Sequence, residues 1–401
     1  MNPQGLLGII MIVIIGLVLS EKRAEISWRR VTLSLVLSFM VALVFHFIPS
    51  ESLLVLNKLV AALEASANHG ASFIFGYLAG GAAPFEITRP ENMFIIAFRV
   101  FPLILLVGVL SNIAFHLGVM GKIIQWLSWP VRKFLKLSPE LALGSAASIF
   151  FGTIEAPLVI KGWLKNLNRG ELLALMTCTM STIAGTVMVL YAGVLSEKLP
   201  GSAGHMMVAS LMSVPCALAV SMLLIPFQAK ENTQSVEIKS PYHGLGDAIT
   251  SGISEGLQMI LSITATLIVC FALIHLVNSL LPLSFPLETL LSYPLRPVMW
   301  LVGLSWQESG QAASLMAQKI ILNEFVAYLQ LAQTQLSQRG LLICLYSFCG
   351  FANFGSLAIV AGGLGQLMPE RRTEIMGLAL KSVLAGNMAT LLTGAIISFF
   401  V

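Results

Sequence analysis

Two glutamates interrupt apolar stretches of this chain, each among residues that break or cap helices. One stands in Phe150-Phe151-Gly152-Thr153-Ile154-Glu155-Ala156-Pro157. The other stands in Gln318-Lys319-Ile320-Ile321-Leu322-Asn323-Glu324-Phe325. A charged side chain at the centre of a bilayer costs at least about 2.5–3.5 kcal/mol, so it survives there mainly where it works. Such a carboxylate can accept hydrogen bonds from the hydroxyls of a solute. It can carry a proton or face a cation. Two together can act as the acid and base of glycosidic hydrolysis. No metal motif, nucleophile elbow or phosphate-binding loop accompanies them. The pattern therefore points to passage of a small polar solute rather than covalent chemistry on it. The bland alternative places both acids in loops near the headgroups.

Composition names the solvent around these residues. Of 401 residues, 57% are hydrophobic and 10% are charged. A soluble globular chain carries about 25% charged residues, so the bilayer is the fitting medium. The net charge of +4 is too small to imply nucleic-acid binding. Cys178, Cys216, Cys270, Cys344 and Cys349 lie in apolar stretches without paired spacing. They read as small buried hydrophobes, with neither a disulfide framework nor a metal site. The first twenty residues lack a basic start and a small-residue cleavage site, so they read as a retained span.

A span needs about 20 apolar residues. Eight charge-free stretches qualify: 1–20, 31–50, 100–121, 172–196, 199–229, 256–287, 340–369 and 382–401. The positive-inside rule sets their direction. Lys22, Arg23, Arg29 and Arg30 follow the first span, and Lys122, Arg132, Lys133 and Lys136 follow the third. Lys161, Lys165 and Arg169 precede the fourth, the polar segment from Gln228 to Asp247 follows the fifth, and Arg371 and Arg372 precede the last. All fall on one side, so both termini are expected outside, in the periplasm of a cell with an inner membrane. Residues 51–70 carry Leu53, Leu54, Leu56, Leu59, Val60 and Leu63 near helical spacing, interrupted by Lys58 and Glu64. That pattern predicts an interfacial helix on the outer side.

The acidic stretches 141–160 and 309–329 do not read as simple spans. Irregular backbone at membrane depth persists only where protein or a water-filled cavity covers it, which re-entrant hairpins satisfy. Each hairpin precedes a span with a weak middle. These are Ser181-Thr182-Ile183-Ala184-Gly185-Thr186-Val187 and Cys349-Gly350-Phe351-Ala352-Asn353-Phe354-Gly355-Ser356. Small, polar and glycine-containing, they suit helices that unwind at the midplane or pack closely. A hairpin followed by an interrupted span, occurring twice, is the mark of repeats in secondary transporters.

Asn323-Glu324-Phe325-Val326-Ala327-Tyr328 and the segment Cys349–Ser356 resemble the signature segments of concentrative nucleoside transporters. Gly152-Thr153-Ile154-Glu155-Ala156-Pro157 resembles a variant of that family's Gly-Gln-Thr-Glu-Ala-Pro hairpin. Thr182-Ile183-Ala184-Gly185 resembles its unwound fourth span. The similarity runs through nearly the whole chain. It implies an all-α integral membrane protein with eight transmembrane helices, two re-entrant hairpins, interfacial helices and inverted internal repeats. It also implies a homotrimer whose transport domain moves like an elevator against a scaffold. On that pattern residues 1–136 and 256–300 are mainly scaffold, and 230–255 are a cytoplasmic linker with an interfacial helix. Residues 137–229 and 301–401 form the transport domain.

The resemblance also assigns residues. Glu324, Asn353 and Ser356 match positions that bind ribose hydroxyls, and an amide beside a carboxylate suits hydroxyls on its own chemistry. Phe351 and Val187 match apolar positions beside sugar and base. Gly152, Thr153, Ile154 and Glu155 match the hairpin near the base. There Thr153 and Ile154 replace the family's Gln and Thr, which leaves base recognition open and admits an unusual modified nucleoside. Ser148 stands where sodium-coupled members carry Asn. Ser148, Phe151, Thr182 and Ile183 could still offer a sodium site, but the substitution favours a proton carried by Glu155 or Glu324. No cofactor beyond the coupling ion is implied, and no nucleic acid. An uncoupled channel or facilitator is the other transport reading. Arg99 is expected at the outer headgroups or beside an acid, Lys381 as a cytoplasmic-end anchor, and His46, His116 and His275 in packing.

Overall fold

The computed structural model describes residues 4–48, 50–89, 93–228, 240–280 and 287–401. Most of the polar segment expected from Gln228 onward, and the side chains of Leu53, Leu54 and Cys270, lie outside the described residues. Helices make up the described chain, with no strand among them.

The first third supplies α1 (Gln4–Val18), α2 (Trp28–His46), the long α3 (Ser50–Phe75), the short α4 (Ile96–Arg99), α5 (Phe101–His116) and α6 (Val119–Leu135). A repeated order follows. The first hairpin is α7 (Pro139–Ala147) and α8 (Glu155–Val159). A broken span, α9 (Arg169–Ser181) and α10 (Gly185–Leu195), leads to the whole span α11 (Ser202–Leu224). After α12 (Leu245–Leu280) and α13 (Leu287–Val302) the order recurs. The second hairpin is α14 (Trp306–Ile321) and α15 (Glu324–Gln333). The second broken span is α16 (Gln338–Phe348) and α17 (Phe354–Leu367), and α18 (Arg372–Ile397) closes the chain.

Polar caps mark where these helices start. Ser138 and Ser305 cap the two hairpins, and Asn168 and Ser337 cap the two broken spans. Each cap oxygen takes a backbone N–H that the helix leaves unpaired. The caps are cross-linked. Ser138 Oγ donates to Glu171 Oε1 at 2.8 Å, and Glu308 Oε1 accepts from the Ser337 N–H at 2.8 Å. Each hairpin is thereby tied to the start of the broken span after it.

Several expected boundaries change. Among the described residues, six helices or helix pairs are long and apolar enough to cross a membrane, and α1 and α17 are shorter apolar helices. The seventh expected span breaks within its weak middle, at Cys349–Asn353, into α16 and α17. Residues 245–255 form no separate interfacial helix; they are the first turns of α12, since Leu245 to Leu280 runs without a proline or a capping break. The last span starts at Arg372 rather than 382, because its first turns, though charged, continue the same helix.

Burial separates two layers. Of α11's apolar window 89% is buried, whereas only 6% of α12's is. The core is therefore α9, α11 and α18, which pack on one another. α18 crosses both broken spans at Gly386, where an added Cβ would stand 2.8 Å from Met180 Cβ and 2.9 Å from Ala352 Cβ. The two breaks lie back to back: a Cβ at Gly350 would meet Met180 O and the Ser181 carbonyl carbon at 2.8 Å. Outside this core α5 and α12 touch backbone to backbone through Gly108, Gly252 and Gly256. Small residues of this kind let membrane helices approach closely.

Candidate functional site

The second hairpin turns at Leu322–Asn323, and Asn323 caps α15 by accepting from the Val326 N–H at 3.1 Å. Glu324 is the first residue of that helix, where the positive end of the helix dipole favours a carboxylate. Across from it, Asn353 caps α17, its Oδ1 accepting from the Ser356 N–H at 2.8 Å. That cap fixes the amide's orientation, because only Nδ2 is left to point elsewhere. It points at Glu324, donating to Oε2 at 3.1 Å, while Tyr191 OH donates to Oε1 at 2.8 Å. Glu324 is 4% exposed, so these donors replace the water it gave up.

Behind this group lies Lys319, fully buried. Its Nζ donates to Asn387 Oδ1 at 2.6 Å, and Asn387 Nδ2 donates to Ala352 O at 3.0 Å. The lysine therefore holds the second break in place through an α18 amide. The chain reversal also brings it within electrostatic reach of Glu324, although the two are five residues apart in sequence.

The first hairpin is built differently. Glu155 Oε2 folds back against Gly152 at its tip, into the space where a Cβ would stand. The N-caps of α8 and α10, Ile154 and Ala184, make no side-chain cap bond. The tip is tied to the first break by backbone, the Gly185 N–H donating to Phe150 O at 2.8 Å. Along the chain, Ser148 and Phe151 flank one partner of this bond, and Thr182 and Ile183 precede the other. Ser148 and Thr182 are fully buried, and their hydroxyls donate to Ser145 O and Cys178 O. The Ile183 N–H donates to Ser210 Oγ at 3.4 Å, and the Phe151 N–H to Ala147 O at 3.0 Å.

Hairpins and breaks enclose a cavity of about 250 Å³. Gly152, Thr153, Ile154, Glu155, Val187, Glu324, Phe351, Asn353 and Ser356 all line it. Ile154 also packs on α17, its side chain 2.6 Å from where a Cβ at Gly363 would be. Sequence reasoning missed Tyr191, Asn323 and the whole α12 wall of Glu255, Gln258, Met259, Ser262, Ile263 and Thr266. A signal for that wall was present. Glu255, Gln258, Ser262 and Thr266 recur every three or four residues on one face of an apolar helix.

Other expected polar residues stand apart. Arg99 lies 6.0 Å from the Phe94 ring and against Gly80. Lys381 reaches Glu21, which also pairs with Arg169 at 3.1 Å. His46 packs against Phe47 and Phe400.

Residues 205–398 match the family model described as "Na+ dependent nucleoside transporter C-terminus", 97–198 the model "Nucleoside recognition", and 7–78 the corresponding N-terminus model. An uncharacterized transporter of Bacillus subtilis is 36% identical, the match covering 99% of each chain. The putative nucleoside permease NupX of Escherichia coli is 31% identical over 99% of this chain and 98% of its own. The chain belongs to the concentrative nucleoside transporter family. A solved member, CNTnw in an inward-facing substrate-bound state, superposes with a TM-score of 0.91 at 30% identity, covering 99% of this chain and 98% of its own. The fold is accordingly that of an all-α, multi-pass membrane protein. The relatives in this family are transporters, so Glu155 and Glu324 are not the acid and base of a hydrolase.

Proposed function

We propose that the chain is a secondary active symporter that imports nucleosides across the inner membrane, driven by a cation gradient. One arrangement carries the reading: Glu324, Asn353 and Ser356 converge on one face of the cavity, preset by two helix caps. Glu324 accepts from ribose hydroxyls, Asn353 and Ser356 exchange hydrogen bonds with them, and Phe351 and Val187 flank sugar and base. The cavity suits a compact solute, being just below the range of about 300–1,000 Å³ of typical ligand pockets.

The coupling ion in this reading is a proton. Ser148 offers one hydroxyl where an amide oxygen would serve a hard cation. Sodium held by Ser148, Phe151, Thr182 and Ile183 is the less favoured alternative. Alternating access is an elevator step. Residues 137–229 and 301–401 move against a scaffold of 1–136 and 256–300 in a homotrimer, with both termini periplasmic. The glycine contact between α5 and α12 supports the scaffold half of this division.

The test is uptake of labelled uridine and adenosine by proteoliposomes, first under a pH gradient and then under a Na⁺ gradient, with Glu324→Gln as control. Uphill uptake that needs the pH gradient and vanishes in the variant is expected. Accumulation driven only by Na⁺ would overturn the proton assignment. Equilibration without accumulation would make the protein a facilitator.

A further inference from the structure

A second, smaller cavity of about 50 Å³ abuts the first at the tip of the first hairpin. The two share Gly152, Glu155, Glu255 and Met259, while Glu324, Asn353 and Ser356 line only the larger. Glu155 and Glu255 therefore stand at the end of the ligand space away from the hydroxyl-binding group. Their carboxyl groups are within electrostatic reach of each other, and among the described residues no lysine or arginine lines either cavity. Asn112 Nδ2 on α5 donates to Glu255 Oε2 at 2.9 Å and fixes that side chain from the scaffold side. Thr153 lines the same space. It is 9% exposed, and its hydroxyl makes no hydrogen bond among the described residues. A hydroxyl without a protein partner on a cavity wall leaves a hydrogen bond for a ligand to complete.

The donor and acceptor balance of this end is one-sided. An ionised carboxylate only accepts, so Glu255, held at one oxygen by Asn112 and without a neighbouring cation, calls for N–H donors on the ligand. A carboxylate is best satisfied by two adjacent donors that meet both its oxygens. We infer, resting on the reading of the cavity as a nucleoside site, that Glu255 determines specificity. It selects a base carrying a ring N–H beside an exocyclic amine, the donor pair of guanosine. Inosine keeps the ring N–H and lacks the amine. Uridine flanks its single N–H with two carbonyl oxygens that a carboxylate repels.

The experiment measures kcat/KM for guanosine, inosine and uridine uptake in proteoliposomes, for the wild-type chain and for Glu255→Gln. Glutamine keeps the shape and an oxygen for Asn112. The wild type should favour guanosine over inosine by roughly 10–100-fold, the usual weight of a hydrogen bond to a charged group. In Glu255→Gln that ratio should fall at least tenfold. A wild-type ratio near one overturns the inference without any variant, and so does a ratio that Glu255→Gln leaves unchanged. In both cases the nucleoside reading stands, because uptake is still seen. A wild-type chain that takes up none of the three fails the nucleoside reading itself, and this inference with it.

Discussion

The two hairpin-and-break units follow one plan but are secured by different means. In the second, side chains do the holding: Asn323 and Asn353 cap the helices, Tyr191 and Asn353 meet Glu324, and Lys319 reaches the break through Asn387. In the first, backbone does it. Ile154 and Ala184 stand at cap positions without a capping bond, and the Gly185 N–H to Phe150 O bond joins tip and break. A network of fixed side chains presents one geometry to a ligand. A unit held by backbone leaves side chains such as Thr153 and Ile154 outside the bonds that join tip and break.

The strongest way to break this contrast is at Lys319. Lys319→Met removes the donor to the buried Asn387 Oδ1 and the cation within electrostatic reach of Glu324, and the unpaired acceptor alone costs about 1–3 kcal/mol. Thermal unfolding in detergent should show the loss, and adding Glu324→Gln should recover part of it. No recovery would mean that the lysine acts only by bracing Asn387. A smaller effect compares the two breaks directly. Gly350→Ala pushes a methyl group to 2.8 Å from Met180 O, an overpacking of about 1–3 kcal/mol, whereas Gly185→Ala meets nothing nearer than Phe150 O at 3.5 Å. Equal losses in melting temperature would contradict the back-to-back packing of the breaks.

The smallest effect lies where the halves meet outside the membrane. Arg169 first, and Lys381 with it, hold the Glu21 carboxyl below its usual range against an opposing desolvation. Because the folded value is depressed, its stabilisation is full above the ordinary carboxylate range and fades as pH falls through the folded value. The side chain is 31% exposed, so the screened gain is at most about 1 kcal/mol. Acidifying from about pH 7 to about pH 4 should lower the wild-type melting temperature slightly more than that of Glu21→Gln. Raising salt should shrink the difference.

Much of this architecture was legible in the chain because the bilayer punishes exceptions. Glu155 and Glu324 in apolar stretches, and the glycine-containing middles of two spans, had few physical explanations other than breaks that meet. The nine residues expected at the site do line one cavity. What escaped was set by distance. Tyr191 meets a carboxylate 133 residues away, and Lys319 an amide 68 residues away. Nothing local marks either pairing. The α12 wall was hidden because hydropathy averages Gln258, Ser262 and Thr266 into an apolar span, while Glu255 falls just before it. The family pattern gives 230–255 as a linker with an interfacial helix, whereas 245–255 open α12.

The Asn112 to Glu255 bond carries a consequence for biosynthesis. The two partners are 143 residues apart, and at about 5–20 residues per second the ribosome needs roughly 7–30 s to bring the second after the first. For that interval α5 sits in the bilayer with an amide and a glycine face awaiting α12. A factor that shelters polar membrane helices during insertion would find its client in this half-built pair. Slowing translation between codons 112 and 255 should lengthen the time in which the nascent chain is open to proteolysis.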